Sequence, residues 1–119
     1  MVRILVGLFL IAHGLVHALY FVPPEPDFPM TAGKSWLVTR VGLSLSVVKP
    51  VVVALVVVAM IGFILLALSH WGLLVPASWF KTLALISAVA SLLLIALTWD
   101  KWFVFAVLIN VGILYWALR

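Results

Sequence analysis

Apolar and polar positions alternate along this chain in long blocks. Four apolar runs are separated by short polar breaks: Ile4–Val22, Val51–Leu68, about Thr82–Thr98, and Trp102–Leu118. A bilayer core of about 30 Å takes around 20 helical residues, so each run is long enough to cross one. With allowance for frayed ends, the expected spans are 4–22, 51–70, 80–98 and 102–118. The second run is rich in valine, which favours strands in water. A lone strand in lipid would leave its backbone groups unpaired, so a helix is expected there too. Trp79 and Phe80 precede the third run, Trp99 and Trp102 bracket the next turn, and Tyr115 and Trp116 close the fourth. Aromatics at run ends match the interfacial belt of spanning helices. The expected fold class is all-α: an integral membrane four-helix bundle in a single domain.

The connections are unequal. Only Trp99-Asp100-Lys101 separates the third and fourth runs, which makes those helices antiparallel neighbours, with Asp100 beside Lys101 as a turn cap. Ser69 to Lys81 holds Gly72 and Pro76 and reads as a turn. The stretch after the first run opens with PPEPDFP, where proline lacks the donor a helix needs. Beyond Gly33, KSWLVTRVGLSLSVVK mixes Trp36, Leu37, Val41 and Leu45 with Lys34, Arg40 and Ser44, up to Pro50. An interfacial amphipathic helix between the first two spans is expected there, with room to run on into the second span. Arg3 ahead of an apolar core raises the question of a cleaved leader. The core is about twice the usual length and no small-x-small site precedes the prolines, so a retained span is expected.

Composition narrows the function classes. Of the 119 residues, 68% are hydrophobic and 8% charged, against about 45–50% and 25% in soluble domains. Lipid is the expected solvent, and no polar segment is long enough for a soluble catalytic head. Seven Lys/Arg against three Asp/Glu give a net charge of +4. The cations sit one by one at run edges, the pattern of headgroup anchors and not of a nucleic-acid footprint. Cysteine is absent, which excludes disulfides, iron–sulfur clusters and thiolate metal sites. Four spans put both termini on one side of the membrane. Arg3, Lys81 and Arg119 fall on that side; Lys34, Arg40, Lys49 and Lys101 fall on the other, with all three acids, Glu25, Asp27 and Asp100. The Lys/Arg count is nearly balanced and acids contribute little to the rule, so the expectation that the termini are cytoplasmic rests on the net charge alone.

The first run alone carries buried-looking histidines. His13 and His17 are about 40° apart on a helix, with Tyr20 near the same line. Gly7, Gly14 and Ala18 form a small-residue stripe beside them, which lets a neighbour approach. The histidine stripe is thus expected to face the bundle, where an ionisable group is a functional-site candidate by default. His70 belongs to the far end of the second run, roughly 15 Å from the level of His13, and reads as interfacial. Asn110 on the fourth helix and Ser91 on the third lie near the depth of His13. One reading is therefore a structural polar layer of His13, Asn110 and Ser91 that fixes helix register. The other gives His13, His17 and Tyr20 a cofactor: a quinone, or a haem or chlorin with one axial histidine. Proton relay through the two histidines is a further possibility without acidic partners in the spans. A metal site is not expected, because two histidines fall short of the three or four ligands required. Ala84, Ser87, Ala88 and Ser91 read as a packing face.

The opening Arg3-Ile-Leu-Val-Gly7-Leu-Phe9-Leu-Ile-Ala-His13-Gly14-Leu15-Val-His17 resembles the first helix of DoxX-like bacterial membrane proteins. That helix also carries an arginine, a glycine, a phenylalanine and a His-Gly-Leu turn. His17 stands where the family pattern would place a lysine. The resemblance implies a four-helix bundle in a bacterial inner membrane, sometimes accompanying quinone-linked oxidoreductases. Two functions are expected from these readings. One is a non-catalytic accessory subunit of a respiratory or photosynthetic membrane complex, with other membrane subunits or further copies of itself as partners. The other is a redox-linked protein that binds quinone or haem through the first-helix histidines.

Overall fold

The computed structural model describes residues 1–23 and 26–119. Its described residues form helices and turns without a strand. Helix α1 covers Val2–Leu15 and tightens into a 3-10 segment over Val16–Phe21. A one-turn helix α2 covers Trp36–Thr39, followed by α3 (Leu45–Trp71), α4 (Phe80–Leu97) and α5 (Val104–Leu118). With their flanking 3-10 turns these make four helical stretches of 20, 27, 21 and 18 residues, with mean hydropathies of 2.1, 3.3, 2.2 and 1.7. All four are long and apolar enough to cross a membrane.

The first helix winds down where His17 begins to compete for its carbonyls. The His17 ring nitrogen Nδ1 donates to the carbonyls of His13 and Gly14, at 3.0 and 3.1 Å. Those acceptors belong to the last α-helical turn, and the chain continues in the tighter 3-10 form common at helix ends. Pro23 follows.

The long connection differs from its expected form. Pro24 and Glu25, part of the PPEPDFP stretch, lie outside the described residues, and Pro26 to Met30 carries no helix. The expected amphipathic helix is cut in two. Its first part is only α2, capped by the Ser35 hydroxyl, which accepts from the Leu37 amide. The chain then breaks at Gly42, whose φ of +84° is open to glycine and strained for other residues. Its second part belongs to α3. Ser44 is the N-cap, accepting from the Ser46 amide at 3.2 Å, so α3 starts at Leu45 and Pro50 lies inside it. Pro50 is close enough to the start to cost a single backbone bond. Helix α2 does not lie free: Leu37 and Val38 pack on Val48, Val52 and Val56, and the Trp36 indole donates to the Ala96 carbonyl at 2.7 Å. At its other end α3 stops at Gly72, in the left-handed region at φ +70°. The Leu73 amide donates to Leu68 and the Gly72 amide to Ser69, the Schellman pattern that satisfies orphan carbonyls.

Helix α3 is the centre of the bundle. It packs against α1 on one side and α4 on the other, and α5 packs on α4. The main core joins Leu10, Phe63, Leu66, Ala84, Ala88 and Ile113, one or more from each long helix. Close approach depends on small residues. A Cβ at Gly14 would come within 2.9 Å of the Phe63 Cβ and 3.1 Å of the Met60 carbonyl oxygen, so α1 and α3 meet nearly backbone to backbone. Gly62 of α3 likewise faces Ser87 of α4. The outward faces stay apolar, with Leu8, Phe105, Leu108 and Tyr115 all exposed.

Candidate functional site

The polar residues of the helices converge in the middle of the bundle. His13 and His17 are buried, at 8% and 5% exposure, and Ser91 and Asn110 are fully enclosed. Asn110 Nδ2 donates to Ser91 Oγ at 3.0 Å and to the Ala106 carbonyl at 2.9 Å. Ser91 Oγ lies 2.9 Å from His17 Nε2. Asn110 Oδ1 is 3.5 Å from His13 Nε2, a long contact.

Counting hydrogens gives this network a direction. Carbonyls only accept, so His17 Nδ1 carries the proton toward His13 and Gly14. In the neutral ring Nε2 is then an acceptor, and the Ser91 hydroxyl donates to it. The Asn110 amide is fixed the same way. Turning it over would point Oδ1 at the Ala106 carbonyl, acceptor against acceptor. With Oδ1 toward His13, that ring holds its proton on Nε2. The chain of donors therefore runs His13 to Asn110 to Ser91 to His17 and ends on the carbonyls of α1. It ties α1, α4 and α5 together. The two imidazoles also form a three-ring cluster with the α3 side chain Phe63: His13 is edge-on to it at 4.8 Å between centroids, His17 stacks at 6.0 Å, and the imidazoles are 5.7 Å from each other.

Tyr20 lies one level further on, in the 3-10 segment. Its hydroxyl is 2.7 Å from Thr98 Oγ1. Thr98 spends its own hydrogen on the Leu94 carbonyl at 2.8 Å, so Tyr20 is the donor. Of the residues expected in the site, Asn110 and Ser91 are thus joined directly. His13 reaches them only through Asn110, and His17 takes the Ser91 bond. Tyr20 does not share the histidine network but closes a second link between the 3-10 segment and α4. Sequence reasoning missed Phe63 and Thr98. Thr98 continues the Ser87, Ser91 line of α4 at helical spacing, and that periodicity was the available signal.

His70 stands apart at the opposite end. Its ring lies 5.3 Å from Trp116 and 6.0 Å from Phe80, centroid to centroid. Its carbonyl accepts from Arg3 Nε and Nη2 at 3.1 and 2.9 Å, while the Trp71 indole donates to the Arg3 carbonyl at 3.0 Å. This pairing bolts the start of α1 to the end of α3. Among the described residues, no three His, Cys, Asp or Glu side chains cluster as metal ligands would.

Two spaces adjoin these groups. One of about 40 Å³ touches His13, His17, Tyr20 and Ser91. It suits a water molecule and is far below the roughly 300 Å³ of ordinary ligand pockets. The other is a groove of about 610 Å³ between the 3-10 segment and the start of α3, with Tyr20, Val52, Val56, Lys34 and Lys49 among its lining. No family model matches the chain, and neither does any curated protein or solved structure.

Proposed function

We propose that this chain is a multi-pass bacterial inner-membrane protein that serves as a non-catalytic subunit of a larger membrane assembly, its histidines holding helices in register. The observation that carries this reading is the continuous hydrogen-bond chain from His13 through Asn110 and Ser91 to His17. Both nitrogens of His17 and one of His13 are committed to protein partners, as are Ser91 and both polar atoms of Asn110. An axial ligand to haem or chlorin needs a free lone pair facing open space. His17 Nε2 faces the Ser91 hydroxyl instead, beside a space of about 40 Å³. The apolar outward faces of α1 and α5, with Phe9, Phe105 and Leu108 exposed, suit lipid and neighbouring subunits.

The DoxX-like resemblance of the first helix supports the same architecture and brings a second reading, a redox-linked protein holding a quinone. The favouring observation is the groove of about 610 Å³ with Tyr20 in its wall. It ranks second because the Tyr20 hydroxyl hydrogen goes to Thr98 and is not free for a quinone carbonyl.

The test is mild extraction of tagged protein from its native membrane. The chain is expected to remain membrane-bound through carbonate washing, to be colourless above 350 nm, and to migrate with co-purifying membrane chains. A Soret band that disappears in His17→Ala would overturn the structural role of the histidines. Stoichiometric quinone in the organic extract would promote the second reading, and a protein that runs alone would end the subunit reading.

A further inference from the structure

The groove of about 610 Å³ lies outside the histidine network and has two chemically distinct ends. Its open apolar wall is formed by Phe21, Val22 and the α3 residue Val53, with Val52 and Val56 buried beneath. Its lining also includes two cations that come from different elements. Lys34 closes the 3-10 turn before α2, and Lys49 sits in the second turn of α3. Both are exposed. From Lys49 to Val53 the helix advances one turn, roughly 6 Å, so charge gives way to an apolar wall over the depth at which a phospholipid passes from phosphate to the start of its acyl chains. The folded-back connection builds this asymmetry: α2 packs through Leu37 and Val38 on the first turns of α3 and so carries Lys34 to the groove. A volume of this size is in the range of sites that enclose most of a small ligand.

We propose that the groove is a binding site for one acidic phospholipid, with its phosphate held between Lys34 and Lys49 and one acyl chain lying against Phe21, Val22 and Val53. This rests on the membrane placement proposed above and assigns a specific ligand to it. Two cations around an apolar slot discriminate by headgroup charge, at about 1 kcal/mol for each lysine near an anionic surface.

The experiment uses the full chain in dodecylmaltoside, delipidated and titrated under native mass spectrometry. The probes are palmitoyl-oleoyl phosphatidylglycerol, phosphatidylcholine with the same chains, decylubiquinone and inorganic phosphate. Phosphatidylglycerol is expected to bind as a single retained lipid in preference to phosphatidylcholine. Lys34→Gln and Lys49→Gln should each weaken it about fivefold and the pair together about thirtyfold. Val53→Trp, which fills the groove, should abolish retention while leaving the helical circular dichroism unchanged. Inorganic phosphate at millimolar concentration should fail to compete, because it lacks the chain. Equal retention of both phospholipids would overturn the proposal, as would undiminished binding in the double lysine variant, tighter binding of decylubiquinone, or displacement by phosphate alone. Release of the chain from membranes by carbonate would defeat the membrane reading itself. An integral protein without headgroup preference defeats only the lipid site.

Discussion

Asn110→Leu is the most informative single change. It keeps the branched side chain of four heavy atoms and removes every polar atom that Asn110 offers. Two bonds between helices go with it: the 3.0 Å bond to Ser91 and the 3.5 Å contact with His13. Ser91 keeps its own hydrogen on His17, so its loss is one accepted bond. His13 fares worse, because its Nε2 hydrogen is left at a buried position without an acceptor. Hydrogen bonds between helices in lipid average about 0.6 kcal/mol and reach about 1.7, and a stranded buried donor costs about 1–3 kcal/mol. The expected destabilisation is about 1–3 kcal/mol. It matters most for α5, whose main neighbour is α4 and whose stretch from Lys101 to Leu118 is only 22% buried. The assay is reversible unfolding in dodecylmaltoside–SDS mixtures, followed by far-ultraviolet circular dichroism. Double-mutant cycles sharpen it by ranking the three contacts. Coupling should be largest for His17 with Ser91, next for Ser91 with Asn110, and smallest for His13 with Asn110, following 2.9, 3.0 and 3.5 Å. An Asn110→Leu variant as stable as the parent would refute the reasoning, and so would a His13–Asn110 coupling larger than the other two.

Four further outcomes are expected. Gly14→Ala should destabilise by about 1–3 kcal/mol in the same titration, since the new methyl meets backbone of α3 that cannot retreat. Gly112→Ala, with nothing within 4 Å of the added Cβ, should instead be neutral or stabilising by up to about 1 kcal/mol. Ser44→Ala removes the cap of α3 and should cost about 0.5–2 kcal/mol, visible in hydrogen exchange as faster opening of the turn up to Pro50. Arg3→Gln loses the paired donors on the His70 carbonyl, and exchange should accelerate at the end of α3 while the amides around Val56 stay as protected as in the parent.

How far the sequence reveals this molecule follows from its physics. The four apolar helices were legible because length and composition alone define them, and no tertiary detail is needed to find a 20-residue apolar run. The start of α3 was not, because Pro50 suggests a boundary while the Ser44 cap and Gly42 set the true one six residues earlier. The amphipathic pattern from Lys34 onward was real in its residues. It could not announce that Gly42 would break it and that Trp36 would bond to Ala96 across the chain. In the site, depth counting alone brought Asn110 and Ser91 to one level. The exchange of partners between His13 and His17 was hidden. It depends on the 3-10 winding after Leu15, which changes the angle between successive side chains from about 100° to about 120°. Phe63 offered no signal, since one aromatic in a wholly apolar run resembles any other core residue.

The structural role of the histidines is tested most directly by nitrogen-15 NMR of the two side chains in lipid nanodiscs at neutral pH. The hydrogen-bond chain requires two neutral rings of opposite tautomer, His17 protonated on Nδ1 and His13 on Nε2. Substituting Ser91→Ala should perturb the Nε2 resonance of His17 and leave its Nδ1 proton in place. Two rings of the same tautomer, a charged imidazolium, or ring shifts of a metal-bound or haem-bound nitrogen would contradict it.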